Sequence, residues 1–164
     1  MASQWYSLVS QKLYLAKALT EQITAIDGAD TAPPPLLKEA MTQGCIELLL
    51  RARQTLLVMI ARHYQHKQAN PGTLDELRAL LSEDAYEVNA LDALASDGHS
   101  WWSHLAQLER AQSQPPATRK SVSADNIIAI SAETGPDRSA LTLEKTRSAL
   151  AAFARELEEQ NSEW

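Results

Sequence analysis

An all-α fold, a single helical-bundle domain over residues 1–164, follows from three observations in the sequence. Glycine is scarce at 5 of 164 residues and aromatics make up only 5%, while Ala, Leu, Glu, Gln and Arg, the good helix formers, are abundant. No window joins β-branched enrichment to strict alternation, apart from a trace at 126–131. Four stretches repeat apolar residues at helical spacing. A chain of this length is one domain by size and can bury a self-sufficient core. The expected architecture is a helical bundle of about four long helices, at 4–26, 35–67, 99–113 and 140–161, plus one or two short helices within 73–97. An irregular segment is expected at 113–139.

The first helix is expected to start after Ser3, a capping residue, and to end at Asp27-Gly28. Its apolar set is Trp5, Leu8, Val9, Leu15, Leu19, Ile23 and Ile26, with Lys12, Lys17 and Glu21 turned outward. The short link Thr31 to Pro35 makes the first two helices antiparallel neighbours. The second helix is the centre of the design. Prolines at 33, 34 and 35 mark its entry and Asn70-Pro71-Gly72 its exit. One apolar stripe runs Leu37, Met41, Gly44/Cys45, Leu48, Ala52, Leu56, Met59, His63, and another Ile46, Leu49/Leu50, Leu57, Ile60, Tyr64. Two stripes predict a helix contacted around most of its circumference, with water only near Glu39, Gln43, Glu47, Arg51, Gln54 and Gln65.

Thr73-Leu74-Asp75-Glu76 reads as a capping box opening a short helix to Leu81, followed by a second piece at 85–95. Asp97-Gly98 is a turn, after which Trp101, Leu105 and Leu108 share one side of the next long helix. Leu143, Leu150, Leu157 and Trp164 recur at seven-residue intervals in the last helix, beside a middle of small residues, Ala149, Ala151 and Ala152. That pattern predicts a one-sided peripheral helix that a neighbour can approach closely.

Charge narrows the function. The net charge is −6, split as +2 over residues 1–72 and −8 over 73–164, so the two halves are expected to attract each other. An acidic whole argues against a general nucleic-acid binder, which needs a basic face. The lone Cys45 lies in an apolar helix, which excludes an intrachain disulfide and fits a structural thiol in the reducing cytoplasm. Met1 to Ala16 has no basic stretch leading into an apolar core, and Thr55 to Ala61 is far short of the roughly 20 apolar residues of a membrane span. No secretion signal and no membrane partner are expected.

Two surfaces are candidates. Arg51, Arg62, His63, His66 and Lys67 make the second half of the central helix basic, a candidate anion or partner surface. Its simplest reading is pairing with the acidic 73–97 segment, which sets seven acids against Arg78. Trp101 and Trp102 project about 100° apart on a helix, so Trp101 is assigned to the core and Trp102 to an interface. The aliphatic patch Val122, Ile127, Ile128 and Ile130 is a second candidate interface. It docks on its own bundle or pairs with another chain. His63, His66, His99 and His104 lack a Glu-x-x-His pair, and no glycine-rich phosphate loop, Gly-x-Ser-x-Gly or Cys-x-x-Cys motif is present. No catalytic residue, metal or cofactor is therefore expected.

The pairing of an Arg with a following His in a small bundle resembles the HEPN family of helical ribonucleases in fold class. That resemblance implies a longer gap than the three residues between Arg62 and His66, so it brings no nuclease chemistry with it. The opening Gln4-Trp5-Tyr6-Ser7-Leu8, with Leu15 and the long central helix, resembles a small uncharacterised bacterial family of all-helical proteins, which implies no known activity. The functional expectation is a non-enzymatic cytoplasmic interaction or regulatory module whose partner is another protein, a second copy of this chain included. The alternative is a nucleic-acid-acting hydrolase or RNA-binding bundle using the basic end of the central helix.

Overall fold

The computed structural model describes residues 3–115 and 135–162. Six helices are present among them: α1 (Gln4–Asp27), α2 (Pro35–His63), α3 (Leu74–Leu80), α4 (Tyr86–Ser96), α5 (Trp101–Ser113) and α6 (Ala140–Ser162). The expected Trp164 and the patch Val122, Ile127, Ile128 and Ile130 lie outside the described residues.

Local chemistry sets the starts. The Ser3 hydroxyl accepts from the Tyr6 amide to cap α1, and the Ser100 hydroxyl accepts from the Ser103 amide to cap α5. Thr73 caps α3 through the Glu76 amide, while the Glu76 carboxylate reaches the amide of Gly72, one residue before the position a capping box would use. Pro35 enters α2 as its first residue, where its missing N–H costs nothing.

The four long helices form the bundle. Glu158 on α6 accepts from Ser3 and Glu144 from Thr20, so α1 and α6 run antiparallel. Arg138, just before α6, holds Glu39 near the start of α2, and His63 at the end of α2 lies 3.6 Å from Glu158. Those two links make α2 and α6 parallel. Trp101 packs on Phe153 and His104 bonds Thr146, which sets α5 antiparallel to α6. α1 packs on α2 and α6, and α5 on the same pair from the other side, with α3 and α4 against α2 and α5.

Every residue of α2 from 55 to 61 is buried, and Leu56, Met59, Ile60 and Ala61 have no exposed surface. This half of α2 is surrounded, as the double stripe predicts. The first half is not: Leu36 is 82% and Leu37 49% exposed. α1 also differs from expectation. Its buried line is Val9, Leu13, Ala16, Thr20 and Ile23, while Leu8 and Leu15 face outward and Leu19 and Ile26 are half-buried. Small Ala16 brings the backbones close, with the Cys45 sulfur 3.6 Å from the Ala16 carbonyl. Cys45 is fully buried, and burial pushes its thiol up to about 11. On α6 the expected heptad positions Leu143, Leu150 and Leu157 are all fully buried.

Candidate functional site

The basic end of α2 is not the open surface its charge suggests. The helix stops at His63 rather than Lys67, because the chain turns through Gln65 at φ 66. The His66 amide bonds back to the Ala61 carbonyl and the Gln65 amide to that of Arg62, both at 3.0 Å. This is a Schellman ending with glutamine in the left-handed position that glycine usually fills. Arg62 fastens the turn. Its guanidinium donates to the carbonyls of His66 and Ala69 and to the Asn70 side chain, and its carbon lies 5.0 Å from the Trp5 ring centroid. A guanidinium holding three acceptors and an aromatic face is committed to its own turn.

The neighbouring candidates are spent or scattered. His63 is turned inward toward Glu158, which also accepts from the Ser3 amide and hydroxyl, so the ends of α1, α2 and α6 meet at one carboxylate. In this Ser–Glu–His arrangement the carboxylate lies between the other two. The histidine therefore does not bridge serine and acid as a nucleophile's base must. Arg51 donates to Gln54, and Lys67 is exposed beyond the turn. The expected pairing of these cations with the 73–97 segment does not occur among the described residues. Arg53 bonds Glu109 on α5, and Arg78 takes Asp75 and Asp92 within the acidic segment itself. Among the described residues the one hydrogen bond across is that of the Tyr64 hydroxyl, which donates to buried Glu87 at 2.6 Å. Burial and that carboxylate push the Tyr64 phenol up to about 12.

Trp102 is also reassigned. It is buried with Trp101, the rings meeting edge to face at 5.6 Å, and Arg53 stacks 5.2 Å above Trp102. Neighbouring tryptophans thus share one core, Trp101 against Phe153 and Trp102 under Arg53. His104 bridges the Thr146 hydroxyl and the Asp137 carbonyl, and since a carbonyl only accepts, its Nε2 carries a proton. Among the described residues no three His, Cys, Asp or Glu are grouped to hold a metal ion.

Two other surfaces stand on either side of α1. On the side shared with α2, Leu8, Leu15 and Leu37 are 36%, 48% and 49% exposed, beside half-buried Leu19, Met41 and Leu48. Gly44 lets the two helices close here: a methyl added to it would lie 3.5 Å from the Leu19 Cδ1. Lys12 is the charged position between Leu8 and Leu15 on this side of α1, while Glu47 and Arg51 both line the groove beside α5 with Arg53 and Glu109. On the opposite side, α1 and α6 enclose a trough of about 290 Å³. Lys17, Arg147 and Arg155 line it, with the hydroxyls of Tyr6, Ser10, Tyr14 and Ser148, over Ala151 and Ala152. Of the small residues expected to admit a neighbouring helix, Ala151 and Ala152 line this channel where α1 packs on α6, and Ala149 is exposed. No local pattern joins these cations, which come from the two ends of the chain; the one signal in the sequence is Arg147, Ala151 and Arg155 at four-residue steps.

The fold and these surfaces define a small all-helical bundle with an apolar face and a cationic trough flanking one helix. The model of a family described as being of unknown function, DUF6586, matches residues 1–164, and the chain belongs to that family. This agrees with the resemblance carried by the opening Gln4–Leu8. No curated protein and no solved structure matches the chain. No helix among the described residues is long and apolar enough to cross a membrane.

Proposed function

We propose that this protein is a non-enzymatic cytoplasmic interaction module that binds another protein through the α1–α2 face. The observation carrying the reading is the row of leucines Leu8, Leu15 and Leu37, 36%, 48% and 49% exposed beside half-buried Leu19, Met41 and Leu48. Apolar rows of this kind mark interaction surfaces. The chemistry of the occupant follows from the rim. Lys12, one helical turn from Leu8 and three residues from Leu15, borders the row, so the fitting partner offers apolar side chains with an acid at their edge. A second copy docked face to face would present the same leucine row and the same lysine, not an acid. The single, fully buried Cys45 is consistent with a reducing compartment. Arg62, committed to its own turn, weighs against the alternative of an RNA-acting hydrolase using Arg62, His63 and His66.

The test is quantitative affinity capture with the full chain and the Leu8→Glu/Leu15→Glu variant, after equal melting temperatures have been verified. A stoichiometric protein partner, lost with the variant and released by salt, is the expected result. A partner retained by the variant overturns the assignment of the face. A concentration-dependent dimer in sedimentation velocity, abolished by the variant, replaces the partner with a second copy. Ribonuclease activity lost in Arg62→Ala/His66→Ala restores the alternative.

A further inference from the structure

We infer that the trough between α1 and α6 is a binding site for a small phosphate-bearing anion. The trough is out of character with the chain around it. The protein carries 21 acids against 15 Lys and Arg, yet the side chains lining this channel include three cations and no carboxylate. Each of these cations has an acid partner outside the lining, Glu144, Glu21 or Glu159, so the pull on an anion comes from the cationic lining itself and not from a net charge.

Arg147 is the anchor. Its Nε and Nη2 donate to the two oxygens of Glu144, each at 2.7 Å, and its side chain is 14% exposed. Glu144 lies outside the lining and fixes the guanidinium while, among the described residues, no acceptor takes Nη1. A cation that is oriented and largely desolvated before the ligand arrives loses little freedom on binding. The other two cations are loosely held. Lys17 is 3.8 Å from Glu21, and Arg155 is 3.9 Å from Glu159, both as exposed pairs one helical turn apart. Such pairs contribute little and exchange readily for a stronger acceptor.

The layout fits a phosphate better than a planar carboxylate. Arg147 and Arg155 are eight residues apart, about 12 Å along α6 at 1.5 Å per residue. Lys17 lines the α1 wall and Arg147 and Arg155 the α6 wall, and Tyr6, Ser10 and Ser148 bring hydroxyl donors to the same channel. Tetrahedral phosphate oxygens accept from several directions at once, which suits donors converging from two walls. Ala151 and Ala152 keep the floor low, so the ligand lies along the helices rather than end-on. The volume of about 290 Å³ is at the small end of ligand sites and admits a compact phosphoester or pyrophosphate.

Inorganic pyrophosphate, with inorganic phosphate and citrate as comparisons, is titrated calorimetrically into the full chain at constant ionic strength. Saturable binding in the order pyrophosphate, phosphate, citrate is expected. Lys17→Gln/Arg155→Gln, two exposed positions whose loss leaves the fold intact, is expected to weaken pyrophosphate at least tenfold, about 1.4 kcal/mol. Arg155→Lys, which keeps charge but not the planar fork, is expected to recover part of the loss. Absence of saturable binding refutes the site. Equal affinity in the wild type and the double variant refutes its location, and citrate binding as tightly as pyrophosphate refutes the phosphate class.

Discussion

Replacing Gln65 with glycine is expected to stabilise the protein. Gln65 sits at φ 66, the only non-glycine residue with positive φ among those described, and its side chain is exposed. Holding a side-chain-bearing residue in the left-handed region costs roughly 1–2 kcal/mol. Glycine removes that cost but brings a more disordered unfolded chain, which takes back roughly 0.5–1 kcal/mol. The backbone bonds that close the turn, from His66 to Ala61 and from Gln65 to Arg62, are unaffected because they involve no side chain of residue 65. The net gain is about 0.5–1 kcal/mol, which for a chain of this size raises the melting temperature by about 1–4 °C. Urea denaturation of wild type, Gln65→Gly and Gln65→Ala at equal slope is the assay. Alanine keeps the backbone cost, so it brings no gain. A neutral or destabilised Gln65→Gly, or an alanine variant that gains as much, would refute the assignment of strain to this turn.

Three further outcomes follow from the packing. Leu56→Ala, in the fully enclosed half of α2, lowers stability by about 2–5 kcal/mol, and a loss below 1 kcal/mol in denaturant melts would mean the site is not enclosed. Arg62→Ala costs about 1–3 kcal/mol by stranding the acceptors of the 64–70 turn, and hydrogen exchange accelerates at His66 to Ala69. Arg62→Lys recovers little of this, because an ammonium cannot span those acceptors. Glu144 is held below its ordinary 4.5, first by its bonds to Arg147. Its contribution is therefore complete above about 4.5 and is lost as the pH falls through its lower folded value. Glu144→Gln should be less stable at neutral pH with a flatter acid limb in melting temperature against pH, whereas parallel curves would contradict the pairing.

Where the sequence spells out a cap, the elements are legible in it: Ser3 and Thr73 each start a helix as their residue type implies, whereas Ser100 caps α5 inside the stretch expected to be helical from 99. The end of α2 is not legible, because the residue that turns the chain is a glutamine and the visible breakers, Asn70, Pro71 and Gly72, come several residues later. The face of α1 misleads for another reason. Leu8, Leu15 and Leu19 are at helical spacing just as Val9, Leu13 and Ile23 are, and periodicity does not rank two apolar rows. Close approach decides: Ala16 and Thr20 admit α2 and α6 on one row, so the bulkier leucines are left on the other. Helix geometry alone misplaces Trp102, since Arg53 from α2 supplies a cover that its direction does not reveal. The cationic trough depends on which helix lies beside α1, a choice among long-range pairings that no local pattern encodes.

The contact between α1 and α6 has a consequence for synthesis. Chains emerge from the ribosome N-terminus first, and α1 with α2 can pair as soon as both have left it. The wall that covers the Leu13 side of α1 arrives only with Leu143, Leu150 and Leu157, at the far end of the chain. Until then the nascent hairpin shows apolar rows on both sides of α1, one awaiting its own last helix and the other left open in the finished fold. The interval between the two is when an early-binding partner or a chaperone would find this protein most adhesive, and slowing translation after Ser113 would lengthen it.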